Sequence, residues 1–112
     1  MPTIENYGFG RITIDGQSYT NDVKVFPDGV EPDWWREKGH VLQPSDLEDV
    51  FNHGPDLLIV GQGKQSRMKI PADTQIAIEE NGITLRSAPT DQAVTMYNDA
   101  NGQVIGAFHL TC

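Results

Sequence analysis

"DLLIVGQG", Asp56 to Gly63, decides how the chain is read. Leu57 to Val60 are apolar without a break, and such a run suits a strand covered on both faces, as in a parallel sheet with helices packed on either side. Its neighbours fit that reading. Upstream, "SDLEDVFNHG" has Ser45 and Glu48 three residues apart, the spacing of a capping box, with Leu47, Val50 and Phe51 on one helical face. His53-Gly54-Pro55 ends the helix, with His53 favourable near its C-terminus. Downstream, "PADTQIAIEENG" reads as a second helix, Pro71 near its first turn and Gly82 past its end. "ITLRSA" is a strand. "TDQAVTMYNDANG" is a third helix, capped by Thr90, with Ala93, Met96 and Tyr97 buried and Asn98 closing the end. "QVIGAFHL" is the last strand, where Gly106 allows a close backbone approach.

The N-terminal part has a different grammar. In "FGRITIDGQSYTNDVKVF", Asp15-Gly16 marks a tight turn between strands expected at residues 9–14 and 17–26. From Pro27 to Gln43 no period holds, and Pro27, Gly29 and Pro32 punctuate a long loop. The order is therefore β-β-loop-α-β-α-β-α-β. Strands alternating with helices predict an α/β fold with a partly parallel sheet, and the leading β-hairpin makes that sheet mixed or forms a small second layer. With 112 residues the chain is expected to be a single domain, residues 1–112.

Composition excludes some partners. Eight basic against sixteen acidic residues give a net charge of -8, which repels nucleic acid and anionic membrane on average. Lys64, Arg67 and Lys69 approach a basic cluster, best read as a solvated face. The longest apolar run falls far short of the roughly 20 residues a membrane helix needs. Cys112 is the lone cysteine, so no internal disulfide forms. The start, "MPTIENYGFG", has no signal-peptide pattern, and the expected compartment is the cytoplasm.

Residue by residue, the chain resembles a known family. "FGRITIDGQSYTNDVKVFPDGVEPDWWREKGHVLQPSDL", "PDLLIVGQG", "TDQAVTMYN" and the closing "HLTC" are similar to a small domain of unknown function. That family is shared by uncharacterised bacterial and archaeal proteins, an adipogenesis-associated cytosolic protein and a mitochondrial respiratory complex I assembly factor. The resemblance implies a three-layer α/β fold with a central mixed sheet of about five strands. It implies no reaction and no cofactor. The assembly-factor member suggests protein partners, although this chain shows no mitochondrial targeting pattern. Many members read Gly-Thr-Gly where Gly61-Gln62-Gly63 stands here, so a ligand role for a threonine hydroxyl does not carry over.

Two stretches are candidate sites. "PDWWREKGHVL", Pro32 to Leu42, holds both tryptophans, Trp34 and Trp35, beside Arg36 and His40. In an extended chain adjacent side chains point to opposite sides, so one ring anchors the loop and the other is offered outward. Tryptophan and arginine are enriched at binding hot spots. The second stretch is the Gly61–Gly63 loop, at the carboxyl end of a central strand, where open α/β sheets bind ligands. Its amides, with Lys64 or Arg67 and meeting the Trp34–His40 segment, would suit an anionic metabolite. It is neither a P-loop nor a dinucleotide fingerprint.

Other chemistry has weak support. His40, His53, His109 and Cys112 lack zinc-type spacing, and a strand would send His109 and Cys112 to opposite faces. Cys112 reads as a mobile terminal thiol. Asp46 reads as a helix N-terminal charge rather than an acid–base partner of His40. No serine-hydrolase elbow is present. No catalytic residue, metal or cofactor is therefore assigned. The leading expectation is a non-catalytic interaction or assembly-type module centred on Trp34, Trp35, Arg36 and His40. The alternative is a small-molecule binder or weak enzyme using Gly61, Gly63, Arg36, Arg67 and His40.

Overall fold

The computed structural model describes every residue from Met1 to Cys112. Strands β1 (Ile4–Gly8), β2 (Arg11–Ile14) and β3 (Gln17–Tyr19) form a small antiparallel sheet. Strands β4 (Val23–Phe26) and β5 (Gly29–Glu31) follow, then a 3-10 turn (Pro44–Leu47) leading into helix α1 (Glu48–His53). Strand β6 (Leu57–Gln62), helix α2 (Ala72–Glu80), strand β7 (Thr84–Ala88), helix α3 (Thr90–Asp99) and strand β8 (Val104–His109) complete the chain. The large sheet has the order β5-β4-β8-β6-β7. Strand β6 is parallel to both β7 and β8, whereas β4 is antiparallel to β8 and to β5. The fold is thus α/β with a mixed five-stranded sheet, as the sequence implied.

The apolar run of β6 is covered on both faces. Ile59 joins Val23, Val25, Val104 and Phe108 on the face packed by α3 and the small sheet, which contribute Tyr97, Ala93, Ile4, Ile12 and Ile14. Leu58, Val60, Ile105 and Ala107 point the other way, onto Val50 of α1, Ile78 of α2 and the loop residues Trp34, Leu42 and Met68. The helices lie on opposite faces because the chain reverses direction across the sheet. The crossover through α2 moves outward from β6 to β7, and the crossover through α3 returns past β6 to β8, so right-handed connections put them on different sides.

The N-terminal half differs from the sequence reading. Residues 4–8 form a strand ahead of the expected hairpin, and the expected strand 17–26 is broken at Thr20–Asp22 into β3 and β4, which belong to different sheets. Part of the expected loop is the strand β5, a hairpin partner of β4. The caps differ too. Asp46, not Ser45 with Glu48, opens the helical turn by accepting the Gln43 N–H at 2.8 Å. Gly54, in the left-handed region at φ 70°, closes α1 as expected. Asn98 does not close α3; its side chain bonds the N–H and C=O of Ile4 and ties α3 to β1. Gly106 does permit close approach, since a Cβ there would lie 2.5 Å from the Phe108 ring and 3.1 Å from Tyr97.

Candidate functional site

The break at Thr20–Asp22 positions the site. It brings Asp22 to the end of β4 that lies beside the carboxyl end of β8, where His109 stands. Asp22 Oδ2 accepts from Arg36 Nη2 at 2.8 Å and meets His109 Nδ1 at 2.8 Å, while Oδ1 accepts the Leu110 N–H at 2.8 Å. Arg36 Nη2 also donates to the Gly39 carbonyl at 2.8 Å. Burial pushes the Asp22 carboxyl up, but the hydrogen bonds from His109, Leu110 and Arg36 outweigh it and hold the carboxyl below its ordinary range. Neither Asp22 nor His109 was singled out as a binding residue from the sequence. The signal for His109 was a polar residue closing a strand that is buried along its whole length.

The two tryptophans divide as extended geometry requires. Trp34 is buried in the core beneath α1 and α2, with the Arg36 guanidinium 4.5 Å and Lys24 Nζ 5.4 Å from its ring centre. Trp35 is 79 % exposed. Arg36 turns back inward and is only 6 % exposed, and its Nε and Nη1 have no hydrogen-bond partner. His40 is exposed, with its ring edge-on to His109 at 5.6 Å between centroids. The main chain at His40 meets the loop after β6, its carbonyl accepting the Lys69 N–H at 2.8 Å.

The Gly61–Gly63 loop is packed by the chain itself. A Cβ on Gly61 would lie 2.8 Å from Thr90 Oγ1, and one on Gly63, where φ is +100°, would strike the Cys112 main chain. The Gly63 N–H donates to Thr90 Oγ1 at 2.8 Å. The Lys64 N–H donates to the Thr111 carbonyl and the Arg67 N–H to the Cys112 carbonyl, at 2.7 and 2.9 Å. The amides expected to cradle an anion are therefore occupied, and the main chain at Cys112 is held in place rather than mobile. Thr90 does not cap α3 with its side chain, because its hydroxyl instead donates to the His109 carbonyl at 2.6 Å. Arg67 itself is exposed. No cluster of three or more His, Cys, Asp or Glu is placed to hold a metal ion.

Trp35 stands between two open recesses that share Asp33, Trp34 and Trp35. The larger, about 730 Å3, lies at the carboxyl end of β8 and is lined by Asp22, Arg36, Glu37 and His109. The smaller, about 290 Å3, is bordered by Lys24, Glu31, Asp46, Glu48 and Asp49. Lys24 is buried and bound to both Asp49 oxygens at 2.6 Å, so its charge is spent internally.

These features define a small layered α/β domain built on a mixed sheet, with an exposed tryptophan beside a buried Asp–Arg–His network. The chain belongs to the family described as protein of unknown function (DUF498/DUF598), whose model matches residues 4–109. Solved structures share the fold. A conserved hypothetical protein of Pyrococcus horikoshii is 24 % identical, with 98 % of this chain and 99 % of that one covered and a TM-score of 0.88. A Bartonella henselae protein described as an outer membrane protein is 19 % identical over 99 % and 96 % of the two chains, with a TM-score of 0.84. A protein called MT938 is 26 % identical over the full length of both, with a TM-score of 0.76. No helix of the present chain is long and apolar enough to cross a membrane.

Proposed function

We propose that the chain is a non-catalytic protein-interaction module whose recognition surface is the Trp34–His40 segment, with Trp35 as its anchor. One observation carries this reading: Trp35 is 79 % exposed while Trp34 and Arg36, on either side of it, are 7 % and 6 % exposed. A large aromatic ring on a base whose neighbours are fixed loses little freedom when a partner covers it. A second reading, a pocket for an anionic small molecule at the Gly61–Gly63 loop, has less support, because that loop's amides already donate to Thr90 and to the carbonyls of residues 111 and 112.

A photo-activatable benzophenone amino acid at position 38, introduced in cells that make the protein, tests the first reading. Lys38 is exposed and lines neither recess. A discrete adduct is expected from position 38 and not from position 80 in α2. Trp35→Ala should remove that adduct while moving the thermal midpoint by no more than about 2 °C, as for other exposed side chains. An adduct indifferent to Trp35→Ala sinks the reading.

A further inference from the structure

The lining of the two recesses is lopsided in charge. Acids outnumber bases seven to two: Asp22, Asp33, Glu37, Glu31, Asp46, Glu48 and Asp49 against Arg36 and Lys24. Both bases are already paired, Arg36 with Asp22 and Lys24 with Asp49. Asp33, Glu37 and Glu48 are exposed and make no ion pair. The Trp35 ring rises between these carboxylates, and an aromatic face flanked by negative charge attracts a cation.

Arg36 adds a different demand. Its Nε and Nη1 are buried without an acceptor, and a buried donor left unpaired is costly. A free anion entering the recess that Arg36 lines would meet the unpaired charges of Asp33 and Glu37, which line it too. A peptide carbonyl is an acceptor with no net charge and escapes that repulsion. A single occupant meets both demands: a segment of polypeptide, with neutral carbonyls along its main chain and positive charge on its side chains.

We infer that the recesses beside Trp35 receive an extended, lysine- or arginine-bearing segment of a partner protein, with a cationic side chain over Trp35 between Asp33 and Glu37 and a main-chain carbonyl toward Arg36. The inference rests on the interaction reading above and adds the chemistry of the partner. The net charge of -8 steers such a segment toward this protein from a distance, so association weakens as salt screens the field.

The test uses an acetylated, amidated octapeptide alternating lysine and serine, and its glutamate–serine counterpart, titrated into the full chain at low salt. The readouts are calorimetry and the Trp35 indole resonance, assigned through Trp35→Phe. The lysine peptide should bind and shift that resonance, and the glutamate peptide should do neither. Trp35→Ala should weaken binding by about fivefold, the worth of a modest cation–aromatic contact. The Asp33→Asn, Glu37→Gln pair should weaken it comparably; asparagine suits position 33, whose φ is 55°. The Glu80→Gln, Asp99→Asn pair removes the same charge from exposed helical positions outside both recesses and should change affinity by no more than about twofold, leaving only the long-range field altered.

Equal losses from the two pairs would mean general attraction to an acidic protein and would overturn the inference. Binding of the glutamate peptide at Trp35 would overturn the basic class of partner while leaving Trp35 an interface. If no peptide shifts the Trp35 indole, the inference fails, and cross-linking from position 38 still judges the interaction reading separately.

Discussion

Asp22 gathers three donors from two parts of the chain, Arg36 of the tryptophan loop and the consecutive His109 and Leu110, and so ties that loop to the end of β8. Asp22→Ala would leave the Arg36 guanidinium buried with no counter-charge, and breaking such a pair costs about 3 kcal/mol, readable in urea unfolding. Because the folded carboxyl is held below its ordinary value of about 3.9, its contribution is complete above that pH and is lost as pH falls through the lower, folded value. The stability gap between the parent and Asp22→Asn, open at about pH 5, should therefore close below about pH 4. A gap that stays open in acid would show that the carboxylate's charge is not what the network uses. That one tryptophan is buried and its neighbour exposed was legible, since it follows from backbone alternation; which of the two is buried, and that Arg36 turns inward, was not. Nor were the partners of Arg36. Asp22 and His109 are 87 residues apart and meet only because β4 pairs with β8, a pairing that no local pattern encodes.

Thr90 joins three elements through one hydroxyl. It accepts from Gly63 after β6, donates to the carbonyl of His109 at the end of β8, and itself begins α3. Thr90→Val keeps the shape and strands a buried N–H and a buried C=O. It should cost about 2 kcal/mol in urea unfolding, whereas Thr90→Ser, which keeps the hydroxyl, should cost less than about 1 kcal/mol. Similar costs for both would assign the effect to the lost methyl group instead. Thr90 before a run of helix formers looks like an N-cap, yet the helix takes Pro89 as its cap, and the threonine bonds to the sheet. The C-terminal elements were legible for a simple reason: each helix is bounded by proline or glycine, and β6 and β8 are short apolar blocks. The N-terminal half was harder. Tyr19 and Val23 both suit a strand, and only tertiary pairing breaks the chain at Thr20–Asp22 and sends β3 and β4 into separate sheets. Likewise β5 is three residues long and owes its existence to pairing with β4.

The molecule places a stiff centre beneath the open segment that carries Trp35. Strand β8 is buried along all six residues and hydrogen-bonded to β4 on one side and β6 on the other, with separate apolar clusters above and below the sheet. Between Trp34 and Val41 the main chain is different. The N–H groups of residues 35–40 take part in no backbone hydrogen bond, and the segment is held by Trp34 in the core, by Arg36 on Asp22 and, at its far end, by the His40 carbonyl. Side-chain anchoring fixes where Trp35 projects without closing the amides to solvent. Hydrogen exchange should separate the two regimes. Amides of β6 and β8 should open only with global unfolding, and those of residues 35–40 by local fluctuation, a difference of about a thousandfold or more if the domain has ordinary stability. A lysine–serine peptide seated beside Trp35 should then slow exchange in residues 35–40 and leave β8 unchanged, because β8 is already limited by the global transition. If residues 35–40 instead exchange as slowly as β8 without any peptide, the segment and the sheet open as one unit, and the proposed recognition surface is part of the core's own cooperative structure.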